Sequence, residues 1–390
     1  MLVGDIYKVS IESEDYIGNG ITRINNIVVF VCGALKDEIL NIKIDKINKH
    51  YASASIVDII EKSPNRVDIL CKYNSLCGGC NFLHTTYDNE INNKLNYLKE
   101  LFNIDIEYLE NNNIYNYRNK VVLHVLNGKL GFFNDKTHNL CEIDNCYLLN
   151  PKINLKINDL KKYNLLNIKE IMIRCINDEI MINITTINDN IDDLINVPCD
   201  SLYINDKYIH GKKYLIDEIN NFKFSIYPNS FYQINREGMQ NIYNKAYSYL
   251  SKNNKLLDLY CGTGTIGIWL NDKFNYIYGV EVNSSSIDNA NINKKLNNLN
   301  NIDFKCQDAS KIKNKFDTIV VDPPRSGLSN DVVKYLNNSN SHEIVYISCN
   351  PKTLKRDIYK LDNYELIKLS FANMFPRTKH IECVCILKLK

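Results

Sequence analysis

The strongest constraint on the fold is a change of rhythm at about residue 237. Beyond it, short apolar runs alternate with helix-length segments. Helical patterns cover residues 237–250 and 285–296, and another begins at Gly264. Between them stand strand-like runs at 255–260, 276–281, 303–306, 318–322 and 343–348. Consecutive strands can pair in parallel only if the segment between them crosses over the sheet. The expectation is an α/β domain with a doubly wound, Rossmann-like sheet, whose ligands sit at the carboxyl ends of the strands.

The first 60 residues read differently. Alternating runs near 5–12, 37–47 and 51–60, an apolar run at 27–31 and a Gly18-Asn-Gly20 turn suggest a small, OB-like β-barrel. Ser63-Pro-Asn65 marks its end. A Cys-rich loop follows at 66–84, then a helix at about 86–103 with Ile91, Leu95, Leu98 and Leu101 on one face. Strand patterns return from about 115 to 226, including 120–126 and 170–174. The expected domains are a barrel at 1–62, a β-rich central domain at 63–226 and the α/β domain at 227–390. The helix at 86–103 is a candidate to pack on the last of these.

Composition narrows the class. The 390 residues are 45% hydrophobic, with no apolar stretch long enough to cross a membrane. The start carries no charged head before an apolar core, so no signal peptide is expected, and the location expected is cytoplasmic. No obligate protein partner is inferred. Thirteen cysteines in a reducing compartment favour metal binding or catalysis over disulfides wherever they cluster.

Chemistry concentrates at four strand ends. Asp258-Leu-Tyr-Cys-Gly-Thr-Gly-Thr-Ile-Gly267 lies where a strand becomes a helix. Its glycines let backbone approach a ligand closely, as in either a dinucleotide or a methyl-donor fold. Glu281 ends the second strand, where a carboxylate can accept from ribose hydroxyls. Asp322-Pro-Pro-Arg325 ends a later strand, a place where dehydrogenases have no use for a Pro-Pro loop. Ser348-Cys-Asn-Pro351 ends the next, and puts Cys349 at the same edge. A thiolate there can add to carbon 6 of a uracil and make carbon 5 nucleophilic. A base must then remove the carbon-5 proton; Glu382, just before the last strand, is the candidate.

Cys71-x5-Cys77-Gly-Gly-Cys80 is compact enough to converge on one metal, either zinc or an iron–sulfur centre.

Five ordered motifs then carry a resemblance. They are Phe231-Tyr-Gln-Ile-Asn235, 258–264, Asp322-Pro-Pro-Arg-Ser-Gly327, Ser348-Cys-Asn-Pro351 and Phe375-Pro-Arg-Thr-Lys-His-Ile-Glu382. Together they resemble the RNA uracil-5-methyltransferase family. The resemblance implies S-adenosylmethionine as cofactor, Cys349 as nucleophile and Glu382 as base. It implies that Gln233, Tyr260, Glu281, Asp308 and Asp322 line the cofactor and uracil site. Thr265 is a further cofactor candidate, although some members have Asn there. Asn373 stands where the family usually has Asp. The RumA-type branch, which acts on 23S ribosomal RNA, also carries the cysteine spacing as a [4Fe-4S] cluster. That implies Cys71, Cys77, Cys80 and Cys146 as ligands, with Cys141 the alternative fourth. The barrel resembles a TRAM domain, an RNA-binding module. Its first 60 residues nevertheless hold six Lys/Arg against eight Asp/Glu, an odd balance for attracting phosphates. Transfer RNA is the alternative substrate. A radical methylthiotransferase and a non-catalytic RNA-binding protein are the competing readings.

Overall fold

The computed structural model describes residues 1–134, 137–188 and 194–390. By packing, the chain divides into two compact units. The first contains residues 1–105, 134–137 and 375–380. The second contains 106–133, 138–374 and 381–390.

The first unit begins with six strands: Ile6–Ser10, Ser13–Glu14, Asn19–Ile24, Ile27–Cys32, Ile39–Ile47 and Tyr51–Glu61. The strands Ile6–Ser10 and Ser13–Glu14 are the two edges of the sheet. Only Ile11 and Glu12 separate them in the chain, so the sheet curls until its ends meet. Alternate residues point inward, and Val29, Val31, Leu40, Ile42, Ile44, Ala52 and Ala54 form the core. Next comes the cysteine loop, with one helical turn at Asn74–Cys77 ended by left-handed Gly78. The helix Tyr87–Phe102 is capped by the Thr86 hydroxyl, which accepts from Asn89 N–H. It buries Ile91 and Leu98, and also the charged Glu90 and Lys94.

The second unit holds a seven-stranded sheet, a short hairpin and the eight-stranded sheet that matters for chemistry. Across the eight-stranded sheet the order is Ile302–Cys306, Phe274–Glu281, Asn253–Leu259, Thr318–Val321, Glu343–Ser348, Glu382–Leu389, Tyr364–Ala372 and Ile106–Leu109. The first five strands are parallel. Glu382–Leu389 runs antiparallel to both of its neighbours. The strand order reverses between Asn253–Leu259 and Thr318–Val321, the switch point where open sheets bind ligands. Two details depart from the sequence expectation. The eighth strand, Ile106–Leu109, comes from far upstream and pairs parallel with Tyr364–Ala372. Glu382 is the first residue of the last strand instead of preceding it. Among the described residues no helix is long and apolar enough to cross a membrane.

Candidate active site

The loop after the strand Asn253–Leu259 is bent by three residues at positive φ: Tyr260 at 64°, Gly262 at 52° and Gly264 at 79°. A Cβ on Gly264 would lie 2.5 Å from the Phe304 ring, so only glycine fits. A Cβ on Gly262 would meet nothing within 4 Å, which leaves the crest of the loop open. Asp258 lies beneath, fully buried. Its Oδ2 accepts from Gly267 N–H at 3.0 Å, while its buried Oδ1 has no partner. Burial pushes the carboxyl up to about 8. An orphaned buried acceptor under an open Gly-rich loop fits a ligand that brings a donor, such as an ammonium group.

Tyr260, Glu281 and Asp308 gather on one side of that loop. Burial raises the Tyr260 phenol to about 12, and Asp308, Asp357 and Glu281 add to the effect. Glu281 Oε1 accepts from Asn283 N–H at 2.9 Å. Asp308 caps a single helical turn by accepting from Ser310 N–H at 2.9 Å, the main reason its carboxyl is held below the usual range. Thr265 is engaged differently. It is buried, and its hydroxyl pairs with the Tyr243 hydroxyl at 3.0 Å. Gln233 is half-buried, and its carbonyl accepts from Asn119 Nδ2 at 3.1 Å.

The catalytic candidates meet by register. Ser348 pairs with Cys383 across the antiparallel strands. Cys349 and Glu382 are the next residues beyond that pair, near enough for the Glu382 carboxylate to act on the Cys349 thiol. Cys349 is half-buried, and its thiol is pushed up to about 11 by burial first, then by Glu382 and Asp322. The Arg325 guanidinium pulls it the other way. Cys349 also precedes Asn350, the cap of the helix Pro351–Lys360, whose positive end favours a thiolate. Glu382 is 5% exposed. Burial drives its carboxyl well above the usual range; Asp322 adds to this and Arg325 opposes it. A raised carboxyl in a dry site suits a general base. Asp322 itself is pushed up to about 7 by desolvation.

Residues that the motifs alone did not single out hold this arrangement. Asp357 is fully buried and accepts from the Tyr346 hydroxyl and from Leu328 N–H, both at 2.8 Å. Arg356 donates to Asp357 and to the Ser326 carbonyl, each at 2.8 Å. Together they pin the loop that carries Asp322 and Arg325. Gly327, at φ 77°, allows it, because a Cβ there would come within 2.3 Å of the Asp357 carboxylate. Asn373 is buried, and its carbonyl accepts from Asn111 Nδ2 at 3.0 Å.

Cys71, Cys77 and Cys80 belong to the first unit and Cys146 to the second. Among the described residues no three His, Cys, Asp or Glu side chains are grouped to hold a metal ion. No chemical step is routed through a cluster. Cys141, the alternative, is buried in a strand.

The buried acids carry a pH consequence. Unfolded carboxyls titrate near 4, whereas Asp258 and Asp322 in the fold titrate at about 8 and 7. The native state therefore binds more protons than the unfolded chain across this window. The contribution to stability is complete below about pH 4 and is lost as pH rises through 7 to 8. Thermal melts of ligand-free protein from pH 5 to 8.5 are expected to show a falling midpoint. Asp322→Asn should flatten that fall; an unchanged slope contradicts the assignment.

Comparisons with known proteins agree with this geometry. Residues 305–390 match the model of the family described as tRNA (Uracil-5-)-methyltransferase. Residues 1–57 match the TRAM domain, and residues 241–338 the methyltransferase small domain. An uncharacterised RNA methyltransferase of Clostridium tetani is 33% identical over 95% of this chain and 93% of its own. One from Staphylococcus aureus is 30% identical over 96% of both chains. The crystal structure of a Pyrococcus abyssi tRNA (uracil-54, C5)-methyltransferase in complex with S-adenosyl-L-homocysteine is similar at a TM-score of 0.84 and 27% identity. That likeness covers 98% of this chain and all of the other. Fold and site thus define a class I methyltransferase domain preceded by a TRAM barrel. The chain belongs to the RNA uracil-5-methyltransferase family.

Proposed function

We propose that the protein transfers a methyl group from S-adenosylmethionine to carbon 5 of a uridine in RNA through a covalent bond between Cys349 and the uracil. The observation that carries this reading is that Cys349, directly after the Ser348–Cys383 pair, and Glu382, directly before it, share the electrostatic influence of Asp322 and Arg325 at the ligand edge of the sheet. When bound, S-adenosylmethionine supplies an electrophilic methyl group. The orphaned Asp258 oxygen is suited to its ammonium group, and Glu281 to its ribose hydroxyls. Tyr260, Asp308, Asp322, Gln233 and Thr265 complete the proposed lining.

Cys349 adds as a thiolate to carbon 6, and the electron pair of the 5,6 double bond moves toward carbon 5 and the carbon-4 carbonyl. Arg325 and the helix end behind Asn350 offset the negative charge around the sulfur. Carbon 5 takes the methyl group. Glu382 then removes the carbon-5 proton, the double bond re-forms, and the Cys349 sulfur leaves.

Ribosomal RNA of the large subunit is the first substrate reading, supported by the barrel and the cysteine loop together. Transfer RNA is the second, favoured by the likeness to the P. abyssi tRNA methyltransferase. Mapping of 5-methyluridine in both RNAs, with and without the gene, tests the proposal. A site lost from either RNA supports methylation and selects the substrate. Unchanged 5-methyluridine in both overturns it.

The iron–sulfur reading of Cys71, Cys77, Cys80 and Cys146 rests on the family resemblance. Protein purified without oxygen is then expected to be brown, with about four irons per chain. Colourless protein with one equivalent of zinc rejects it.

A further inference from the structure

Three cations of the second unit lie close together, and among the described residues no carboxylate pairs with them. Arg174 is 1% exposed. It lies directly opposite Lys120 on adjacent antiparallel strands, and Arg118 is two residues from Lys120. Like charges placed directly opposite are destabilising, and a buried charge without a counter-ion is costly. Among the described residues none of the three forms an ion pair with a carboxylate. They donate instead to backbone carbonyls: Arg174 to Tyr227 at 3.3 Å and to Ser230 at 3.1 Å. Lys120 Nζ donates to Pro228 at 3.4 Å, and Arg118 Nε to Lys120 at 3.0 Å. Arg174 Nε is buried and has no partner. Burial first, then Arg174 and Arg118, pulls the Lys120 ammonium down to about 8. The carbonyls offset part of this charge, but none supplies the full negative charge that three cations call for.

The cluster lies beside the proposed active site. The Asn119 backbone N–H donates to the Ile234 carbonyl at 2.9 Å. Arg118 bridges to Asn235, the cap of the helix that carries Tyr243. The cations thus flank the segment 227–235, which contains Gln233. Arg118 and Lys120 are half-buried, whereas Arg174 is enclosed.

We propose that Arg118 and Lys120, backed by the buried Arg174, form an anion site that takes a backbone phosphate of the RNA next to the target uridine. The proposal rests on the methyltransferase reading for its choice of anion. It also answers where the electrostatic attraction lies, since the first 60 residues carry more acid than base. Arg118 and Lys120 make the contact. Arg174 is a positioning residue that grips the carbonyls of 227 and 230 from behind.

The test measures equilibrium binding of a uridine-bearing RNA stem-loop to the full chain at several salt concentrations. Each phosphate contact contributes about 0.7–0.9 to the slope of log K against log salt. Lys120→Met is expected to lower affinity about tenfold at low salt and to reduce the slope by about one. Arg118→Gln should do the same, with the S-adenosylhomocysteine affinity of both variants unchanged and their melting temperature unchanged or raised, since each removes one of the crowded cations. An unchanged salt slope overturns the proposal. So does loss of S-adenosylhomocysteine binding and melting temperature in both variants, which marks the cations as a purely structural clamp. Because the readout is binding, absence of methyl transfer tells against the enzymatic reading and leaves this test standing.

Discussion

Glu382→Gln is expected to trap the protein on its RNA, whereas Cys349→Ala is expected never to form that bond. The two residues lie at the same end of one antiparallel pair of strands but act at different steps. Without the thiol, nothing activates the ring, so Cys349→Ala should bind RNA and give no adduct. With the amide in place of the buried carboxyl, addition and methyl transfer proceed, but carbon 5 keeps its proton. Turnover should fall by about 10²–10⁴-fold. The accumulated species should survive denaturing electrophoresis and carry label from the methyl group of S-adenosylmethionine. Wild-type protein with 5-fluorouridine RNA should stall in the same way, because fluorine cannot leave as a cation. A labelled complex from Cys349→Ala would point to another cysteine. Near-normal turnover by Glu382→Gln would remove it from the role of base.

The second large effect concerns stability of the first unit. Glu90 and Lys94 are fully buried on one face of the helix Tyr87–Phe102, and Arg377 is 5% exposed. Lys94 Nζ donates to Glu90 Oε1 at 2.8 Å. The Arg377 backbone N–H donates to both Glu90 oxygens, at 3.0 and 3.1 Å. Its guanidinium donates to the carbonyls of Phe82 at 3.2 Å and Thr85 at 2.9 Å. Burial lowers the Lys94 ammonium, and Glu90 opposes that. Removing Glu90 takes away the carboxylate that both Lys94 and Arg377 contact. Glu90→Ala is therefore expected to cost about 3–5 kcal/mol, read as a lower urea midpoint. The double variant Glu90→Leu/Lys94→Leu should recover part of the loss, since it removes charge along with its partner. A loss under about 1 kcal/mol for Glu90→Ala would show the network to be solvated.

Much of the site is legible in the linear chain. The strand-then-glycine pattern at 258–267 locates the ligand loop, because only glycine accommodates the backbone there; Gly264 against Phe304 shows why. Strand ends at Glu281, Asp322 and Cys349 share one edge once the strands are parallel, and their apolar runs already imply that. The helix Tyr87–Phe102 and the strand Lys120–Leu126 are readable from periodicity alone. Other features leave no periodic trace. The strand Ile106–Leu109 is four residues long, and joins the sheet through a partner more than 250 positions away. Glu382 is a candidate base in the linear chain, but only the ladder with Ala372 shows that it opens a buried strand. Thr265 matches a motif position, yet its hydroxyl is committed to Tyr243.

By itself, the sequence determined the order of the elements, the parallel core of the catalytic sheet and the chemical character of each strand end. These follow from local periodicity and from the conformations that glycine and proline permit. Only the tertiary structure decided which charges lose their water. Asp258 without a second partner, Lys120 opposite Arg174, and Glu90 between Lys94 and Arg377 are unexceptional residues in the linear chain. Their energetics arise because distant segments fold over them and exclude solvent, and desolvation is a property of the packed neighbourhood, not of the residue.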